Sequence, residues 1–145
     1  MTGVNDFNAR IVDEFRRNGG TVSTAGFGDG LILLHTVGAR SGQPRINPLM
    51  ALPDGDGWLV VGSAGGSPKT PAWVHNLRAA AGARVEVARA GEITELPVDY
   101  TELGPEAWAS AWARFVDRSS GFASYADTAG GRHFPIFRLT PAAAG

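Results

Sequence analysis

The sequence predicts an α+β fold: a small barrel, or strongly curled sheet, of mainly antiparallel strands with helices packed around it. Three observations lead there. Short apolar or alternating runs follow one another across turns such as Asp54-Gly-Asp-Gly57, and these links are too short for the crossovers that parallel strands require. Three other segments repeat their apolar residues at helical spacing. The chain has 145 residues, 43% of them hydrophobic, enough for one core and few for two. One domain over residues 1–145 is therefore expected, with a helix near 6–18 and the barrel over about 30–140.

Phe7, Ile11 and Phe15 recur at i, i+4 and i+8, with Asn5 or Asp6 as a cap and Gly19-Gly20 as the stop, so the first helix is amphipathic. Leu31–Val37 (LILLHTV) is short and apolar, the pattern of a buried strand. Gly38–Pro44 is a turn. Arg45–Leu52 resumes as a strand in which Pro48, lacking an N–H, belongs at an edge or a bulge. The Asp54–Gly57 hairpin signal leads into a strand at Trp58–Ser63, and Ala64–Thr70 is a glycine-rich connection. Pro71 suits the first position of a helix, where its missing N–H is no loss, with Ala72–Ala80 following and Gly82 ending it. Arg84–Arg89 and Glu92–Tyr100 alternate with period two around a turn at Gly91. Pro105 opens a helix with a Trp108, Trp112, Phe115 stripe, Gly121–Arg132 is irregular, and Phe134–Leu139 is the last strand.

Composition excludes several functions. Thirteen basic against 14 acidic residues leave a formal net charge of −1, without the positive excess of a non-specific nucleic-acid binder. There is no cysteine, which rules out disulfides, thiolate metal sites and a cysteine nucleophile. His35, His75 and His133 lack ligand spacing and no HExxH occurs, so no metal is expected. No serine sits in a GxSxG elbow. No apolar run approaches the ~18 residues of a membrane span, and the N-terminal stretch lacks an apolar h-region, so a cytoplasmic location is expected. The polar face of the first helix (Arg10, Asp13, Arg16, Arg17) reads most simply as solvated surface, with a peripheral membrane contact left open. Lys69 is the single lysine beside twelve arginines, whose planar, permanently charged forks suit phosphate or carboxylate.

Three stretches could carry chemistry. Gly38-Ala-Arg-Ser-Gly-Gln-Pro-Arg45 places Arg40 and Arg45 on either side of a glycine turn, with Ser41 adding a hydroxyl. One anion could there meet two guanidinium forks and free backbone donors; the competing reading is a solvated turn. Ser63-Ala-Gly-Gly-Ser-Pro-Lys69 leads from a strand to a helix N-terminus, which aims N–H groups at an anion. It is neither a P-loop nor a GxGxxG, and a plain connector has the same composition. On the next helix Trp73, Asn76 and Leu77 share a face: Trp73 and Leu77 suit a core, whereas a buried Asn76 needs a partner. His35, in an apolar strand, suits a hydrogen-bonded core histidine, and Tyr125 lies where a phenol could face a cleft or solvent. These residues together describe a small β-rich domain that binds a flat, anionic ligand.

In the same order, the residues resemble the motifs of the deazaflavin-dependent nitroreductase family, whose members bind coenzyme F420 on a split β-barrel. The matching elements are Leu33, Leu34, Thr36 and Gly38, then Arg40-Ser-Gly-Gln-Pro-Arg-x-Asn-Pro-Leu49, Ser63-x-Gly-Gly66, Pro71-x-Trp-x-x-Asn-Leu77 and Arg132-x-x-Pro-Ile136. The resemblance implies that Ala39, Arg40, Ser41, Arg45, Ile46, Asn47, Pro48, Leu49 and Met50 hold the cofactor's phosphate and neighbouring parts. It implies that Ser63, Ala64, Gly65 and Gly66 lie against the cofactor and that Ala72, Trp73, Val74, His75 and Asn76 complete the groove. Tyr125 is the nearest match to a tyrosine on the substrate side of the deazaflavin, where it would donate a hydrogen bond or proton to the reduced acceptor. Ala64 stands where the family pattern has lysine, and Val74 where it has tyrosine. The implied activity is an F420-dependent oxidoreductase passing hydride from reduced deazaflavin to a quinone-like, conjugated or nitroaromatic small-molecule acceptor. The alternatives are an FMN-binding split-barrel reductase and a non-catalytic F420 carrier, and the assembly is a monomer or a homodimer.

Overall fold

The computed structural model describes residues 4–23, 30–62, 70–80, 82–89, 91–118 and 134–142. Helix α1 (Val4–Arg17) precedes strands β1 (Leu31–Val37), β2 (Pro44–Asp54) and β3 (Gly57–Val61). Helix α2 (Ala72–Ala79), strands β4 (Ala83–Arg89) and β5 (Glu92–Glu102), helix α3 (Pro105–Arg118) and strand β6 (Ile136–Pro141) follow. The strands close into a barrel in the order β1-β2-β3-β6-β5-β4, every neighbouring pair antiparallel. The expected barrel of antiparallel strands with surrounding helices is the fold observed.

Period-two alternation sorts β1 and β3 between the barrel interior and a helix outside it. In β1, Ile32 and Leu34 point inward to Ala51, Val60, Val85, Val98, Phe137 and Leu139. Leu31 and Leu33 point outward and are covered by Ile11 and Phe15 of α1. Both faces of Leu31–Leu34 are therefore buried, which is why the strand opens as a continuous apolar run. Strand β3 repeats the logic, with Val60 inside and Leu59 and Val61 under Ala111 and Phe115 of α3. Trp73, Val74 and Leu77 of α2 join the interior cluster, so this short helix is anchored in the barrel itself. A fully buried side chain of this kind contributes about 1.5–3 kcal/mol.

Several boundaries differ from the sequence-based expectation, each for a local reason. Pro71 is the N-cap of α2, extended at φ −60° and ψ 145°, rather than its first helical residue. β2 reaches from Pro44 to Asp54 because its first half pairs with β1 and its last four residues with β3. Pro48 lies opposite Leu33 in an unbroken register, in the half of β2 that, among the described residues, is laddered on one flank only. That is the edge position a residue without an N–H tolerates. The last strand begins at Ile136, not Phe134, whose carbonyl instead accepts a hydrogen bond from Trp108 Nε1 at 2.6 Å. At Gly19, φ is 62°, and the N–H of Gly20 closes on the Phe15 carbonyl at 2.8 Å, ending α1 where the glycine pair was expected to. A side chain at Gly57 would overlap the Leu139 carbonyl, so glycine there lets β3 and β6 approach. No described helix is long and apolar enough to cross a membrane.

Candidate functional site: a cationic cleft beside α2

The β1–β2 turn closes on its own backbone. Gly38 N–H donates to the Gln43 carbonyl at 2.8 Å, Gly42 N–H to the Gly38 carbonyl at 2.9 Å, and Gln43 N–H to Ser41 Oγ at 3.2 Å. Arg40 and Ser41 are exposed on this turn, and Arg45 follows at the start of β2, donating to Ser41 Oγ at a long 3.5 Å. α2 meets the turn through Asn76. This residue is buried, and its Oδ1 accepts the Ala39 N–H at 2.9 Å, which is the partner a buried amide requires.

Between turn and helix lies a cleft of about 510 Å³, lined by Gly38, Ala39, Arg40, Ser41, Arg45, Ala72, His75 and Asn76. No acidic side chain is among these residues, and among the described residues no carboxylate pairs with Arg40 or Arg45. α2 starts at the cleft with no side-chain cap and no acidic residue in its first turn, so the positive end of the helix is not offset locally. Two guanidinium forks, a hydroxyl and a helix start make a chemically suitable receptor for phosphate or carboxylate oxygens.

Seven of the expected site residues thus share one cleft: Ala39, Arg40, Ser41, Arg45, Ala72, His75 and Asn76. Ile46 and Asn47 line, with Arg45, a second groove of about 580 Å³ between α1 and β2, whose other wall includes Asn8, Val12, Asp13 and Arg16. Pro48 is half-buried in β2, Leu49 packs on the barrel interior, and Met50 packs against the clusters under α1 and α3. Trp73 and Val74 are 4% and 0% exposed and belong to the core. Helical geometry makes this division, since 72, 75 and 76 lie on one face and 73, 74 and 77 turn toward the barrel. Ser63, Ala64, Gly65, Gly66 and Tyr125 lie outside the described residues.

A second polar cluster is anticipated by the sequence only at His35. Glu86 of β4 is buried beneath α1, and Arg16 grips both its oxygens, Nε to Oε1 at 2.9 Å and NH2 to Oε2 at 2.6 Å. His35 Nε2 lies 2.6 Å from Oε2. The Arg16 guanidinium holds the Glu86 carboxyl below its ordinary value, against the opposing effect of burial and with help from His35. His35 is the hydrogen-bonded histidine expected of an apolar strand. Glu86, on the outward face of the alternating RVEVAR, looks solvent-facing because the helix covering it comes from 70 residues earlier. Glu95 stands nearby, with possible ligand atoms of His35, Glu86 and Glu95 within 4.8 Å of one another. Arg16 and Arg84 already occupy the two carboxylates.

A family model described as F420H(2)-dependent quinone reductase matches residues 8–141. An F420H(2)-dependent quinone reductase of Mycobacterium tuberculosis (strain ATCC 25618 / H37Rv) is 52% identical over 48 residues, which is 33% of this chain and 32% of that relative. The match thus spans about a third of the curated relative's length. The solved structure of an F420-H2 dependent reductase (FDR-A) is similar at a TM-score of 0.65 and 30% identity, covering 76% of this chain and 93% of that one. A second solved structure, described as a domain-swapped dimer, is similar at a TM-score of 0.67 and 26% identity over 94% of this chain and 99% of the other. With the family's pattern running through the barrel and the cleft alike, this chain belongs to the F420H(2)-dependent quinone reductase family.

Proposed function

We propose that this protein is an oxidoreductase that uses reduced coenzyme F420 and a small quinone acceptor, and that the cleft beside α2 holds the cofactor's phosphate-bearing arm. One observation carries the reading: Arg40 and Arg45 line one cleft, without a carboxylate partner among the described residues, together with the uncapped start of α2. Like charges gathered in one cleft repel until an anion joins them.

The residues fit such a group. Arg40 and Arg45 donate charge-assisted hydrogen bonds, each about 1.5–3 kcal/mol when partly desolvated, and Ser41 adds a hydroxyl. Asn76, by taking the Ala39 N–H, ties turn to helix, so the anion meets a preformed site rather than one it must order. When bound, the reduced deazaflavin supplies a hydride to the acceptor. Ser63–Gly66 alongside the cofactor, and Tyr125 donating a hydrogen bond or proton to the reduced acceptor, enter the proposal through the resemblance. A cytoplasmic homodimer completes it, the dimer being supported by the domain-swapped relative.

The test is a fluorescence titration of the protein with oxidised coenzyme F420 and, in parallel, with FMN, followed by mixing with the reduced coenzyme and a quinone. Saturable F420 binding in preference to FMN, with quinone-dependent loss of reduced-deazaflavin absorbance, is the expected result. Tighter FMN binding would replace the cofactor assignment. F420 binding without turnover on any quinone would make the protein a carrier.

A further inference from the structure

We infer that Thr36 is a further binding residue of the cleft, its hydroxyl hydrogen-bonding the anion that Arg40 and Arg45 receive. Thr36 continues the inward face of β1 after Ile32 and Leu34, at the end where the strand enters the 38–45 turn. It is 6% exposed, and its Oγ1 is the buried side-chain polar atom that, among the described residues, has no hydrogen-bond partner. Buried hydroxyls are otherwise almost always paired, and an unpaired one weakens a fold that a valine of the same shape would not. Among the described residues nothing accounts for the hydroxyl, which leaves it open to a partner from outside the chain.

The register says where. Thr36 lies directly opposite Arg45, and cross-strand partners project on the same face with their Cβ atoms about 5 Å apart. Arg45 lines the cleft, as does Gly38, two residues further along β1's own path. The guanidinium of Arg45 is exposed and, among the described residues, tethered only by the 3.5 Å contact to Ser41, so it can swing toward an anion bound over Thr36. Thr36 then contacts the bound oxygen from the floor, below the two arginines.

This rests on reading the cleft as the anion site, and the experiment separates the two. Thr36→Val and Thr36→Ser are compared with wild type by thermal denaturation and by fluorescence titration with oxidised coenzyme F420. Thr36→Val is expected to melt at or above the wild-type temperature while its dissociation constant rises about 10-fold or more, the effect of one hydrogen bond to a charged acceptor. Thr36→Ser, which keeps the hydroxyl, should bind within about twofold of wild type. Wild-type binding with an unchanged Thr36→Val constant would overturn the inference alone. A Thr36→Val protein that melts well below wild type, or does not fold, would assign the hydroxyl to the fold and overturn it equally, as would a Thr36→Ser protein that binds as weakly as the valine. Failure of the wild type to bind the coenzyme at all would remove the cleft reading and this inference with it.

Discussion

Arginines occur here in two settings that differ in what faces them. Beneath α1, Arg16 meets a carboxylate that is 7% exposed and grips it at 2.9 and 2.6 Å. At the 38–45 turn, Arg45 donates to a serine hydroxyl at a long 3.5 Å, and among the described residues neither it nor Arg40 has an acidic partner. The same side chain is a fastener in one place and, in the proposed function, a receptor in the other. What separates them is the burial of the partner: Glu86 cannot stay ionised under a helix without countercharge, whereas among the described residues no buried charge is paired with Arg45.

The comparison breaks most visibly at Arg16. Removing it strands a buried carboxylate that, among the described residues, keeps only His35 as a polar partner, so Arg16→Met is expected to lower stability by about 2–4 kcal/mol at neutral pH, measured by urea denaturation. The figure is below that of a fully buried pair because Arg16 is itself 45% exposed. The pH dependence has a definite sign. Glu86's folded pKa is depressed, so its contribution is fully present above the unfolded carboxyl value of about 4.3 and is lost as pH falls through the lower folded value. The gap between wild type and variant should therefore narrow below about pH 4.3. Coenzyme affinity should be unchanged; a parallel loss would mean that the two arginine regions act as one.

The two regions also differ in how legible they were. The strands around the cleft announce themselves locally, because LILLHTV, the DGDG turn and the glycine at 91 each state a period or a turn without help from distant residues. Arg40, Arg45 and Asn76 were legible for the same reason: a charged glycine turn and a potentially buried amide pose questions within a few residues of themselves. Glu86 was not, since its burial is imposed by α1 rather than by its neighbours in β4. The closing pairs β1–β4 and β3–β6 leave no local trace either, being set by contacts between strands far apart in sequence. The inward turn of Trp73 and Val74 depends on where α2 docks, which helical spacing alone does not decide.

At the receptor the signs reverse. Arg45→Ala should weaken coenzyme binding by about 1.5–3 kcal/mol, roughly 10- to 150-fold, as loss of a charged hydrogen bond predicts. Its effect on urea stability should stay within about 0.5 kcal/mol, since among the described residues it is tied only by a long contact to an exposed serine. An unchanged dissociation constant in the titration would move the phosphate away from the turn.

Arg17 supplies the intermediate case, and the smallest effect. It pairs with Asp13 one helical turn earlier at 2.8 Å, but the two side chains are 68% and 62% exposed, so water screens the attraction on both sides. Arg17 also sits in the last turn of α1, where a cation suits the helix dipole. Together these should make Arg17→Ala cost about 0.3–1 kcal/mol at low salt, without altering coenzyme affinity. At about 1 M salt the Debye length shrinks to roughly 3 Å and this small penalty should vanish, whereas the Arg16→Met penalty, set by a carboxylate shielded from solvent, should largely persist. Urea denaturation of both variants across a salt series reads the difference directly. If the Arg16→Met penalty disappeared with salt as well, the pair beneath α1 would be no more than another solvated surface contact, and burial of the partner would not be what distinguishes a fastening arginine from a receiving one.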